Sequence, residues 1–187
     1  IAFSWSLFQL WYASPLPFIV GFGVLIDVPA RAIHLGFALL LTFLTYPLLK
    51  KNKNKNFNKI DVLISIIALS TALYIALFYE EIVYRNGILL ITNIDFLGIK
   101  LSIPIELIVG IIAILLLLEA TRRSIGLPLV IVASVFLIFS IFGQIMPEII
   151  SHQGLSLKRL VGYHWFGGEA IFVIPISVSV SFVFLFV

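Results

Sequence analysis

The sequence predicts an all-α protein, a polytopic membrane helical bundle of about six transmembrane segments with the last one truncated. Three observations carry this. Of the 187 residues, 61% are hydrophobic and 11% charged, with a mean hydropathy of +1.19, which is more apolar surface than a soluble core of this size could bury. Apolar runs of roughly 20 residues, the length that crosses a hydrocarbon core of about 30 Å, recur along the chain. Charged residues gather at the ends of these runs and not within them.

Taken in order, the first run is Ile1 to Ile26, uncharged but carrying Pro15 and Pro17, which should kink or split it. Asp27 and Pro29 suit a helix start, and the second run reaches about Leu49, with Pro47 near its exit. The lysine- and asparagine-rich stretch from Lys50 to Asn56 is too polar for lipid. The third run covers about Asp61 to Tyr79, the fourth about Pro104 to Ala120 and the fifth Leu127 to Met146. The sixth, Ile171 to Val187, is slightly short of a crossing, and with Ile1 already inside an apolar run the chain reads as part of a longer polytopic protein.

Orientation follows from the cations. If the first run starts inside, the internal flanks hold Lys50, Lys51, Lys53, Lys55, Lys59, Arg122 and Arg123 against the single acid Asp61. The external flanks hold Arg31, Arg85, Lys100, Lys158 and Arg159, diluted by Asp27, Glu80, Glu81, Asp95, Glu148 and Glu169 over longer loops. The positive-inside rule then places the Lys50 to Lys59 loop in the cytoplasm. The formal charge of +3 and pI near 9.3 come from these flanks and form no continuous basic face, so nucleic acid is not an expected partner.

Two external stretches resist a simple loop reading. Glu80 to Ile103 is too apolar for a free loop and too interrupted by Asn93, Asp95, Gly98 and Lys100 to span, so it should lie at the interface or fold back on the bundle. Pro147 to Ala170 mixes His152-Gln153-Gly154 with Tyr163-His164-Trp165-Phe166-Gly167-Gly168. It reads either as an aromatic belt with a glycine turn or as a docking surface. In the third run Ser65, Ala68, Ala72 and Ala76 line one helical face, which predicts close helix contact.

Chemistry is nearly absent. The absence of cysteine removes disulfides, thiolate metal sites and thiol nucleophiles. His34, His152 and His164 fall in separate segments without metal-ligand spacing, and no phosphate-binding glycine loop is present. Ser177, Ser179 and Ser181 alternate with no local histidine or acid and read as helix-packing residues. The sequence thus offers no catalytic residues, no metal site and no cofactor site.

Three charged sets remain. Glu119 lies three and four residues before Arg122 and Arg123, on one face at a helix C-terminus, and reads as a topology anchor with its own ion pair. Arg31 and His34 lie one turn apart and should snorkel towards headgroups or a loop. Glu106 sits in a first turn, where the helix dipole favours a carboxylate, about 20 Å along the axis from Glu119.

At this point the residues resemble a family. Arg31-Ala32-Ile33-His34-Leu35, Phe43-Leu44-Thr45-Tyr46-Pro47, Arg85 with Gly87 and Asp95, Leu118-Glu119-Ala120-Thr121-Arg122-Arg123 with Gly126, Phe142-Gly143 with Pro147, and His152 with Gly154 resemble the fused permeases of tripartite ATP-independent periplasmic (TRAP) transporters. The order and spacing are similar to the fused subunit associated with the TAXI class. A departure is Tyr163 to Gly168, where a Gly-Ile-Phe-Gly-like turn is expected.

The resemblance implies a small four-helix membrane region, here 1–124, joined to a large region that carries substrate by an elevator-like motion. Residues 125–187 would be the connecting helix and the start of that large region. It further implies an inner (plasma) membrane location, coupling to Na+ or H+, a small organic solute as cargo and an extracytoplasmic solute-binding protein as partner. Arg85, Asp95, His152, Lys158 and Arg159 are the candidate docking residues. Two rivals are a membrane scaffold or signalling subunit and a membrane enzyme, the latter needing titratable groups such as His34, Glu119 and Arg122 around one cavity.

Overall fold

Proline punctuates the first apolar run. Ser14, before Pro15, is held extended (φ −89°, ψ 161°), which ends helix α1 (Ala2–Ala13) and starts the short α2 (Leu16–Val20). Gly21 and Gly23 then take φ near +70°, a left-handed turn that side chains disfavour. The structure, a computed structural model, describes residues 1–48, 58–85, 88–96, 99–167 and 170–183. The lysine-rich loop at 50–57 lies outside these, although Lys59 opens helix α4.

Helix α3 (Asp27–Thr45) carries Pro29 in its first turn and stops at Tyr46, before Pro47. Helix α4 (Lys59–Tyr84) begins at Asn58, whose side-chain oxygen accepts from the Ile60 N–H at 3.3 Å. It loses helical geometry locally at Phe78 (φ −110°, ψ 17°). The stretch expected to fold back does so in part as a hairpin, β1 (Thr92–Phe96) against β2 (Ile99–Ile103), in register Thr92 opposite Ile103. The rest of the described chain is helical, as expected. Ile99-Lys100-Leu101-Ser102-Ile103 alternates apolar with polar residues, the period of a strand.

Helix α5 (Ile105–Ser124) passes through Ile125 and Gly126 (φ +117°) into α6 (Leu127–Phe142), which has Pro128 in its first turn. A 3₁₀ turn, Gly143–Ile145, follows. Helix α7 (Leu157–Val161), capped by Ser156, runs into a π-helical turn, Gly162–Phe166. Helix α8 (Ile174–Val178) likewise continues as a π turn, Ser179–Val183.

Asp27–Thr45, Lys59–Tyr84 and Leu127–Ile145 are long and apolar enough to cross a membrane, as expected of a membrane protein. The six expected segments resolve into these three, α5 with charges in its first and last turns, and two terminal runs built from short pieces. The core lies where α3, α4 and α5 meet. Phe43, Ala68, Ala72, Ile75 and Ala113 are fully or almost fully buried there. The small-residue face of α4 permits this. A Cβ on Gly36 of α3 would stand 3.4 Å from Ala72 Cβ, so the two helices touch almost backbone to backbone. Gly110 of α5 plays the same part against Val161, where a Cβ would overlap the valine side chain. Helix α6 buries none of its residues and is apolar all round, so lipid or further helices must cover it.

Candidate functional site

Ionisable side chains inside an apolar bundle are the natural place to look for function. They form three groups. At one end of α3–α5, the last turn of α5 places Glu119 within 2.7 Å of Arg122 and 2.8 Å of Arg123. Arg123 also reaches Asp61 in the first turn of α4 at 2.7 Å and the Tyr46 carbonyl at 3.2 Å, with its guanidinium over the Phe43 ring. Only 4% of the Arg123 side chain and 2% of Asp61 are exposed. Asp61 further accepts from the Leu48 N–H. The group therefore bolts the ends of three helices together.

At the opposite end, Glu106 in the first turn of α5 is 2% exposed. It accepts from Arg85 Nη2 at 2.6 Å, Tyr74 Oη at 3.0 Å and the Leu90 N–H at 2.6 Å. Arg85, just past the end of α4, is 25% exposed. Burial opposes its charge, but the hydrogen bond and attraction of Glu106 outweigh that and raise its pKa above the ordinary value. Its Nη1 is buried and unpartnered among the described atoms. Glu106 thus closes the α4–α5 end and pins the segment leading into the hairpin.

The third group is deep in the apolar region, between α1, α3 and the final π turn. His34 Nε2 lies 3.2 Å from Ser179 Oγ, and its Nδ1 faces both Trp5 Nε1 at 3.1 Å and Gln9 Oε1 at 3.2 Å. Gln9 Nε2 donates to the Val180 carbonyl at 2.7 Å. The indole N–H only donates, so it needs the Nδ1 lone pair, whereas Gln9 Oε1 needs an Nδ1 proton. A neutral ring satisfies one or the other.

No family model, curated protein or solved structure matches the chain. The reading of the site therefore rests on its geometry. His34 is buried and does not snorkel, correcting that expectation, and Ser179 does have a histidine beside it, brought from 145 residues away. Arg31 bonds to Asp27 at 2.8 Å and to the Phe172 carbonyl at 3.1 Å, so it too binds inward.

The candidate docking residues separate into two kinds. Arg85 is taken up by Glu106. His152 packs its ring on Gly143, accepts from the Gly154 N–H at 3.0 Å through Nδ1 and so presents Nε2–H to the Phe139 carbonyl at 3.1 Å. Its role is to fold the loop over the end of α6. Asp95 stands opposite Lys100 in the hairpin register, its side chain outside the described residues. Lys158 and Arg159 are exposed, and neither side chain has a hydrogen-bond or ion-pair partner among the described residues. Among the same residues no three of His, Asp and Glu converge as metal ligands. Of the three residues that an acid–base centre would need together, Glu119 and Arg122 pair in the first group, whereas His34 lies in the third.

Sequence reasoning missed Gln9, Trp5 and Asp61 as partners. A glutamine in an uncharged run is a usable signal, because a buried amide demands a partner. Nothing local in the sequence says which one.

Proposed function

We propose that this chain is the rigid, scaffold-forming part of a TRAP-type fused permease, a secondary transporter driven by a Na+ or H+ gradient. In this reading it takes up a small organic solute delivered by an extracytoplasmic binding protein. The observation that carries the proposal is that Asp61, Glu106, Arg123 and His34, the ionisable groups buried in the bundle, each bond across to another element. Groups committed in this way hold helices in place, and among the described residues they form no chain of ionisable groups across the bundle. Such a unit suits the fixed part against which a carrier domain moves. In this reading the protein sits in the inner membrane with six crossings, the two broken runs included, and the Lys50 to Lys59 loop faces the cytoplasm.

These 187 residues contain no cysteine, and any in the remainder of the complete transporter would first be replaced by serine. The Gly36–Ala72 approach of 3.4 Å is close to the Cβ separation of a disulfide, so Gly36→Cys with Ala72→Cys should cross-link α3 to α4. In the complete transporter, reconstituted with its binding protein in proteoliposomes, gradient-driven uptake should persist within about twofold after oxidation. Loss of uptake on cross-linking and recovery on reduction would show that these helices move, and the scaffold reading would fall. Labelling of an Asn54→Cys variant by a membrane-impermeant maleimide on intact cells would overturn the orientation. The alternative, a non-transporting membrane scaffold, is favoured by the same internal pairing and predicts no uptake under any gradient.

A further inference from the structure

Beside the Arg85–Glu106 group lies a cavity of about 220 Å³ with an apolar floor from Ile88, Ile91, Pro104 and Leu107 and two cations, Lys158 and Arg159, in its wall. We infer that this cavity holds an anionic phospholipid, its phosphate between Lys158 and Arg159 and the upper part of an acyl chain against the floor. The inference rests on the membrane reading and is independent of transport.

Three features point to this occupant. The first is depth. The floor joins the segment that follows α4, which ends at Tyr84, to the residues that start α5, where Pro104 is the N-cap. The spanning part of α4 ends before its last turns, at the break at Phe78, so the segment that follows those turns lies at the headgroup level. The second is charge. Glu119 and Asp61 neutralise the arginines at the far end of the bundle, and Asp27 pairs with Arg31, whereas Lys158 and Arg159 have no partner among the described residues. Two adjacent cations with no carboxylate beside them among the described residues are complementary to a phosphodiester.

The third feature is the mixture of surfaces. Ile88 is 74% and Ile91 50% exposed, directly beside the cations, so an occupant that satisfies the site must be charged at one end and aliphatic at the other. A free phosphate would leave the floor bare. An acidic protein segment would set carboxylates against isoleucine. The volume is below the range of about 300 to 1,000 Å³ that encloses small organic ligands, which suits partial insertion of a chain that continues into the bilayer.

The probe is phosphatidylglycerol, titrated into the purified full chain in mild detergent and counted by native mass spectrometry against phosphatidylcholine. One phosphatidylglycerol should be retained in preference. Lys158→Gln with Arg159→Gln should weaken retention roughly thirtyfold, from about 1 kcal/mol per cation. The swap Lys158→Arg with Arg159→Lys should keep it, as should Lys59→Gln, which removes an exposed cation at the other end of α4. Both cations are exposed, so the folded fraction should be unchanged on gel filtration. Equal retention of phosphatidylcholine, or full retention by the double glutamine variant, would overturn the inference. Displacement by glycerol phosphate would assign the site to free phosphate, and displacement by a short polyaspartate peptide to an acidic protein, and either result would replace the lipid.

Discussion

The two ends of the α3–α5 bundle bury charge in opposite ways. At the Arg123 end the cation is the centre, with carboxylates from α4 and α5 and a carbonyl from the end of α3 converging on it. At the Glu106 end the anion is the centre, and an arginine, a tyrosine and a backbone N–H converge on it. The difference lies in what is stranded when a partner is removed. Loss of Arg123 leaves Asp61 at 2% exposure with no counter-ion among the described residues, whereas loss of the Glu106 charge leaves Arg85, which at 25% exposure can turn towards headgroups or water.

Mutations can break this contrast. Arg123→Gln should cost the most, about 3 to 5 kcal/mol, because it leaves an uncompensated buried carboxylate. Chemical unfolding in micelles followed by tryptophan fluorescence measures it, and a cost under about 1 kcal/mol would erase the distinction. Adding Asp61→Asn should recover part of the loss, and strict additivity of the two changes would show that they are not coupled. Glu106→Gln should cost less, about 1.5 to 3 kcal/mol, since a charge-assisted bond is lost while an acceptor for the Leu90 N–H stays. Tyr74→Phe, which removes one donor to the same carboxylate, should cost about 0.5 to 1.5 kcal/mol by the same assay. Arg122→Ala should leave the unfolding midpoint unchanged, since its pair with Glu119 is exposed and Arg123 still holds that carboxylate.

The contrast also tracks what was legible in the sequence. Glu119 with Arg122 and Arg123 could be read because residues three and four apart meet on any helix. Asp61 was visible only as a flanking charge, since its bond to Arg123 spans 62 residues and depends on how two helices cross. Hydropathy found α3, α4 and α6, and the alanine stripe of α4 pointed to its packed face. The periodicity could not reveal that Gln9, His34 and Ser179 meet, because they lie in three different apolar runs and nothing local pairs them. Arg85 and His152 were read as outward-facing because charge and a flanking glycine suggest a surface. In the structure both also bond within the chain, Arg85 to Glu106 and His152, which stays exposed, to the Phe139 carbonyl and Gly154 N–H. The strand period between α4 and α5 is carried by only five residues, Ile99 to Ile103, too short a run to decide between a strand and an interfacial segment.

The break at Phe78 has a consequence for the lipid around the protein. At 1.5 Å per residue all of α4 would measure about 39 Å, whereas Lys59 to Leu77 measures about 28 Å. The first figure would demand a strong tilt or a thickened bilayer, and the second matches an ordinary hydrocarbon layer. By bending its final turns away, the helix becomes a gauge of fixed length with Glu80 and Glu81 beyond its mark. Acyl-chain length in the host membrane then becomes a variable to which this bundle is tuned, and chains much longer or shorter would strain it through hydrophobic mismatch.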